Sequence, residues 1–218
     1  MLSRAKKRAN KRLTNNLLEG LCFHSDALHL IQSDPDYFGK DAIEVILAAC
    51  QEDTISTSFS GIEAPHTASC ANRVALAEFL DIDQKLVPMP RLLHMIEWDV
   101  QNRAELMIIA RQTGSCLFGD IASFFRKELQ ETIQMIKDNP AMVADILAPV
   151  IAGGNAMVNH SWCYYHQKQC CIKTAVRHTA GTSCVPFSRR GVNLGLKDVA
   201  TLYSLAWIDL RLLLQEPD

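Results

Sequence analysis

The sequence predicts an α/β fold on a parallel sheet, and three observations predict it. Short β-branched or apolar runs at residues 54–59, 92–96 and 116–118 each end on a glycine or an acid. Helical spacing follows the first two runs and resumes after the third. A fourth such run, residues 174–180, leads into a glycine-containing loop and a last helix. Alternation of this kind favours parallel strands with ligands at their carboxyl ends.

Taken in order, residues 13–31 carry helical spacing through Leu17, Leu21, Leu28 and Ile31, and Ser33-Asp34-Pro35-Asp36 breaks it. Residues 42–50 suit a helix or a strand, because so short an apolar run has no decisive period. In residues 54–59 the β-branched content and the Ser60-Gly61 that follows predict a strand and tight turn. Ala68, Val74, Ala75 and Phe79 then space a helix over 65–80, and a connector with two prolines covers 81–90. The run 92–96 stops at Glu97, Asp99 is placed to cap a helix running toward Gln112, and Gly114 is placed to close it. After the strand 116–118 and its Gly119-Asp120 end, residues 123–150 are predicted helical, broken at Asn139-Pro140 and ended by Gly153-Gly154. Residues 155–173 are rich in His, Cys and aromatics, and Leu202, Leu205, Ala206, Ile208 and Leu212 give the last helix, 198–214, an apolar face.

The 218 residues are 48% hydrophobic and 21% charged, enough for a buried core and against general disorder. No apolar run reaches the length of a membrane span, and the start is charged, so neither a span nor a secretory signal is expected. Residues 4–12 hold six of the 22 basic residues, which leaves 16 basic against 24 acidic, or −8, in the rest. Such an arm suits a nuclear address, a phosphate-contacting tail or a solvated terminus in an intracellular protein. The eight cysteines, irregularly spaced, read as free thiols, metal ligands or a nucleophile before a disulfide framework.

The strand ends carry the candidate chemistry. Phe59-Ser60-Gly61-Ile62-Glu63 is a glycine turn whose backbone N–H groups can approach a ligand. Glu97-Trp98-Asp99 supplies an acid for ribose hydroxyls and an indole to cover an adenine. Asp120 can accept from an exocyclic amine, or simply cap a helix. Cys184 follows the fourth strand with Arg177, Arg189 and Arg190 near it in sequence, a setting that favours the thiolate.

Together and in order, these residues resemble the C5-cytosine-specific DNA methyltransferase family. Phe59 to Ile62 is similar to that family's Phe-Ser-Gly-Ile-Gly turn, Glu97 to Asp99 to its Glu-Trp-Asp element, and Gly119 to Ile121 to its Gly-Asp-Ile. Cys184 with Phe187-Ser188, and then Gly191 to Asp198, are similar to its nucleophile loop and the run after it. The resemblance covers roughly residues 54–217 and is interrupted at about 123–173. It implies a Rossmann-like class I S-adenosylmethionine-dependent methyltransferase sheet, incomplete, with a helical insertion before the nucleophile strand. Residues 1–50 would be a basic arm and helical extension, and 51–218 a partial catalytic domain. Phe59, Ser60 and Gly61 would line the S-adenosylmethionine site, Glu97 hold the ribose, Trp98 pack on adenine, and Asp120 with Ile121 contact the adenine edge. Cys184 would be the nucleophile that adds to cytosine C6 in DNA, with the base flipped out of the duplex.

The departures are Glu63 in place of the turn's second glycine and Ser183 in place of the proline before the nucleophile. Counterparts of the family's Glu-Asn-Val and Gln-x-Arg-x-Arg elements are also missing, so the chain as given is expected to be the cofactor and nucleophile half of such an enzyme and not to methylate by itself. Alternatives are a noncatalytic cofactor- or DNA-binding module and a nicotinamide-dependent oxidoreductase, the latter opposed by the lack of a full G-x-G-x-x-G. A zinc module is a further alternative, since Cys163, His166, Cys170 and Cys171 lie close together with His160 and His178 nearby. No second ligand pair at finger spacing accompanies them, so unpaired thiols on an inserted helix or loop, with no metal, are expected.

Overall fold

The computed structural model describes residues 40–59, 61, 63–147, 150, 156–182, 186 and 194–215. The basic arm, the predicted helix at 13–31, Ser60, Cys184 and the residues from 187 to 193 lie outside these. The described residues divide into two compact units, one of 40–53 and 66–90, the other of 54–65 and 91–215.

In the smaller unit the ambiguous run at 42–50 is helical, part of α1 (Lys40–Gln51). Ile46 and Leu47 pack with the buried Cys50 one turn on, while Val45 between those rows is exposed. Leu76 and Ala77 of α2 (Ala64–Leu80) join that cluster with Val87. Beside it Arg73, almost wholly buried, donates to Asp53 at 2.5 Å and to the Cys50 sulfur.

The larger unit is α/β with a mixed, mostly parallel sheet. Its strands are β1 (Thr54–Ser58), β2 (Arg91–Ile96), β3 (Cys116–Phe118), β4 (His160–Cys163), β5 (Lys168–Cys171) and β6 (Arg177–Ala180). The order across the sheet is β5-β4-β3-β2-β1-β6. β1, β2, β3 and β6 are mutually parallel, and β4 and β5 run antiparallel as a hairpin on β3. The chain therefore steps outward from β1 to β3 and later returns to β1's other side, and that reversal is where open α/β sheets take ligands.

Each face has its own core. Ile55, Leu92, Met95 and Leu117 pack against Leu106 and Ala110 of α3 (Val100–Thr113). Asp99 caps α3 by accepting from the N–H groups of Gln101 and Asn102 at 2.8 and 2.9 Å, and Gly114, at φ 70°, closes it. Such a cap contributes about 1 kcal/mol. On the other face Ile96 and Phe118 meet Leu202, Ala206 and Leu210 of α5 (Val199–Gln215), which recur every four residues. Burying each of those leucines is worth about 1.5–3 kcal/mol.

Two expectations for residues 123–173 change. The helical stretch is broken: a 3-10 turn (Ile121–Phe124), a second (Lys127–Leu129), the helix α4 (Gln130–Asp138), a third 3-10 turn (Pro140–Met142) and a π turn (Val143–Leu147). Pro140, which has no N–H for the ladder of α4, enforces one of these breaks. Residues 160–171, expected on an inserted helix or loop, form the β4–β5 hairpin, so this stretch widens the sheet. The fourth parallel strand begins at Arg177, three residues later than expected.

Candidate functional site

At the carboxyl ends of β1, β2 and β3 three short segments meet. The backbone after β1 turns sharply: Phe59, Gly61 and Glu63 have φ of 56°, 62° and 68°. That region is costly for any residue but glycine, so two side-chain-bearing residues in it mark a turn held by its surroundings. One hold is Glu63, which stands where the resembled turn has a second glycine and keeps the backbone conformation glycine favours. Its carboxylate is buried and accepts from Thr57 Oγ1 at 2.6 Å.

The other hold is Glu97, just past β2 and 2% exposed. Its Oε2 accepts the Gly61 N–H at 3.3 Å and its Oε1 the Asp99 N–H at 2.9 Å. Glu97 thus fastens the β1 turn to the end of β2, a role the sequence reading did not assign. Each oxygen keeps a further lone pair for another donor.

Trp98 is 59% exposed, free to lie against a planar ring. Arg103, from the first turn of α3, donates to the Glu97 and Trp98 carbonyls and lies 4.7 Å from the Tyr164 ring centre. That tyrosine covers Gly119, where an added Cβ would meet the ring at 3.0 Å.

Asp120 ends the third segment. One oxygen caps the following 3-10 turn by accepting from Ala122 N–H at 2.8 Å, and the other pairs with Lys137 at 2.6 Å. Lys137 also lies 5.8 Å from the Tyr203 ring centre, and Tyr203 meets Phe59 edge-on at 6.4 Å. Burial, then the Asp120 charge, raises the Tyr203 phenol above its ordinary range. Phe59, Tyr203, Lys137 and Asp120 form a chain of neighbours along this edge.

The structure therefore brings Phe59, Gly61, Glu97, Trp98 and Asp120 to one edge. The Ile121 side chain is fully buried in the core with Phe118 and Phe124, which leaves its backbone as the part that faces an adenine edge in the expected contact. Arg177 opens β6 and stands about 10 Å along the strand from its carboxyl end, while Cys184, near which the sequence places it, lies outside the described residues. Arg177 is not at the end that leads toward Cys184. Arg103, Lys137, Tyr164 and Tyr203 were not found in the sequence, since each reaches the edge from an element whose packing is set by tertiary structure.

Behind the edge the half-buried His178 joins a group of buried polar side chains. His178 of β6 lies in contact with Ser56 Oγ and the Arg211 guanidinium and accepts the Ala175 N–H at 3.2 Å. Burial, then Arg211, holds its pKa down to about 4. His94, fully buried with its ring centre 6.4 Å away, is held well below its ordinary value by burial first and then by Arg211 and His178.

A second cluster occupies the opposite side of β3, where Cys116, Cys163, His166 and Cys170 converge with all ligand atoms within 4.8 Å. Cys171, the fourth member of the sequence-based zinc alternative, is exposed and outside it. The fourth donor is Cys116, which the spacing around residue 163 could not reveal.

No helix among the described residues is long and apolar enough to cross a membrane. Comparison with models of protein families, with curated proteins and with solved structures returns no significant match.

Proposed function

We propose that this chain is an S-adenosylmethionine-binding protein of the Rossmann-like class I methyltransferase type, related to the cytosine-5 DNA methyltransferases, with Cys184 as its nucleophile and cytosine in DNA as the methyl acceptor. One observation carries the reading: the glycine turn, the acid–tryptophan pair and Asp120 meet at the carboxyl ends of three adjacent parallel strands, beside the reversal between β1 and β6. Ribose hydroxyls would use the remaining lone pairs of Glu97, the adenine ring would lie against Trp98, and Asp120 would accept from its exocyclic amine. S-adenosylmethionine supplies the methyl group. Cys184, reached within four residues of the end of β6, would add to C6 of a flipped cytosine and leave after C5 has taken the methyl and lost its proton, a reaction that also needs the Glu-Asn-Val acid this sequence does not carry.

Glu63 favours a second reading, a noncatalytic module, because a buried carboxylate at the turn opposes the carboxylate of the cofactor. Fluorescence titration separates these from no binding at all. S-adenosylmethionine should quench Trp98 saturably, and Glu97→Ala should weaken the response. Saturable binding indifferent to Glu97, Trp98 and Asp120 would remove the cofactor assignment. Alkylation followed by peptide mass spectrometry reads the nucleophile: Cys184 should label faster than Cys50, Cys70 and Cys171, and a rate no higher than theirs leaves only the module.

A further inference from the structure

Cys116 opens β3, Cys163 ends β4, His166 sits in the hairpin turn and Cys170 lies in β5. Nδ1 of His166 is 3.6, 3.3 and 3.7 Å from the sulfurs of Cys116, Cys163 and Cys170. A neutral imidazole nitrogen carries one proton or one lone pair, so it makes one such hydrogen bond and not three. Hydrogen bonding therefore does not account for three sulfurs around one nitrogen. A tetrahedral ion does, since Zn–S near 2.3 Å and Zn–N near 2.0–2.1 Å place sulfur and nitrogen ligands about 3.5–3.6 Å apart.

We propose that Cys116, Cys163, His166 and Cys170 bind one zinc ion in a closed, structural site that clips the β4–β5 hairpin to the parallel sheet. Three thiolates and an imidazole are a zinc donor set; hard cations take oxygen ligands, and the common iron–sulfur clusters take four cysteines or two with two histidines. Four protein donors leave no position for substrate, which makes the site structural. The hairpin needs such a clip. β4 and β5 share four register pairs, but β4 meets β3 in register only at Phe118 and Cys163, with one flanking bond from the Tyr164 N–H to the Leu117 carbonyl at 2.7 Å. A two-stranded hairpin is marginal by itself.

Two details agree with a built site. The His166 backbone N–H points to Cys163 Sγ at 3.4 Å, the kind of outer-shell donor that steadies a thiolate on a metal. Cys170 joins the cluster while Cys171 does not, as alternation along a strand requires.

The test is metal analysis of the full-length protein purified without added zinc or chelator. One zinc per chain is expected, lost in Cys116→Ser and Cys163→Ser and kept in Cys171→Ser. His166→Cys, which restores a fourth ligand, should keep the ion that His166→Ala releases. Wild-type protein reloaded with cobalt(II) should show the intense visible bands and thiolate charge transfer of a tetrahedral sulfur-rich site. Protein that neither contains zinc nor takes it up, zinc retained by both serine variants, or a weakly absorbing octahedral cobalt spectrum would each overturn the proposal. The cobalt spectrum needs no variant, so a misfolded mutant cannot decide the matter.

Discussion

At the carboxyl edge of the sheet most side chains are held by the backbone beside them. Glu97 takes the Asp99 N–H, Asp99 the N–H groups of the turn it caps, Asp120 that of Ala122, and Glu63 the hydroxyl of Thr57. At the β4–β5 hairpin the four converging groups come from three strands and a turn, and His166 lies 50 residues from Cys116. Apart from the Gly61 N–H on Glu97, which joins residues 36 apart, the first region is a set of local hydrogen bonds that forms with the strands and turns themselves. The second has local bonds only within the hairpin, such as the His166 N–H on Cys163 Sγ, and the convergence of Cys116 with it follows if an ion supplies it. Loss of one group should therefore be graded at the edge and close to all-or-none at the hairpin.

The largest effect follows from removing the metal. A chelator, or Cys163→Ser, should cost the larger unit several kcal/mol and lower its melting temperature by roughly 10 °C or more, with zinc restoring it in the wild type. Scanning calorimetry with and without chelator reads this, and an unchanged melting temperature would erase the contrast between the regions.

Next comes Glu97→Gln. The amide turns one acceptor into a donor facing a backbone N–H, so urea unfolding should show a loss of about 1–3 kcal/mol even without ligand. A neutral result would mean that Glu97 does not fasten the β1 turn.

Acid should act on the polar group behind the edge. The folded His178 pKa lies near 4, below its unfolded value of about 6.5, so between these pH values the unfolded chain binds the proton and the folded one does not. Stability present above about pH 6.5 is thus lost as pH falls toward 4. Arg211 and His94 face the same ring, and His94, also held low, adds to the slope. His178→Gln should make the acid limb shallower in melts recorded from pH 7.5 to 4.5, whereas an identical limb would place the titration elsewhere.

The smallest change is Lys137→Met. The Asp120 pair is partly exposed, so its loss should cost at most about 1 kcal/mol while leaving one Asp120 oxygen open to a ligand. A loss of several kcal/mol in urea would show that the pair is structural.

These contrasts also explain what could be read in advance. β1, β2 and β3 were legible because each is a short apolar run closed by a turn residue, and the Asp99 cap and Gly114 close were legible because helix ends need those residue types. The hairpin was not. His160 to Cys171 holds few β-branched residues, and its pairing with β3 depends on a strand far earlier in the chain. For the same reason Cys163, His166 and Cys170 looked incomplete, since the missing donor, Cys116, serves as an ordinary strand residue in sequence. That the Ile121 side chain belongs to the core was not legible either, because only packing against Phe118 and Phe124 reveals it.

The claim on which the functional reading rests is that the carboxyl edge holds S-adenosylmethionine. Hydrogen–deuterium exchange of the full chain, with and without saturating S-adenosylmethionine, tests it by location as well as by binding. The account predicts slowed exchange at residues 59–63, 97–103 and 119–122, with the β4–β5 hairpin unchanged. Protection confined to other segments, or none at saturating ligand, would contradict it.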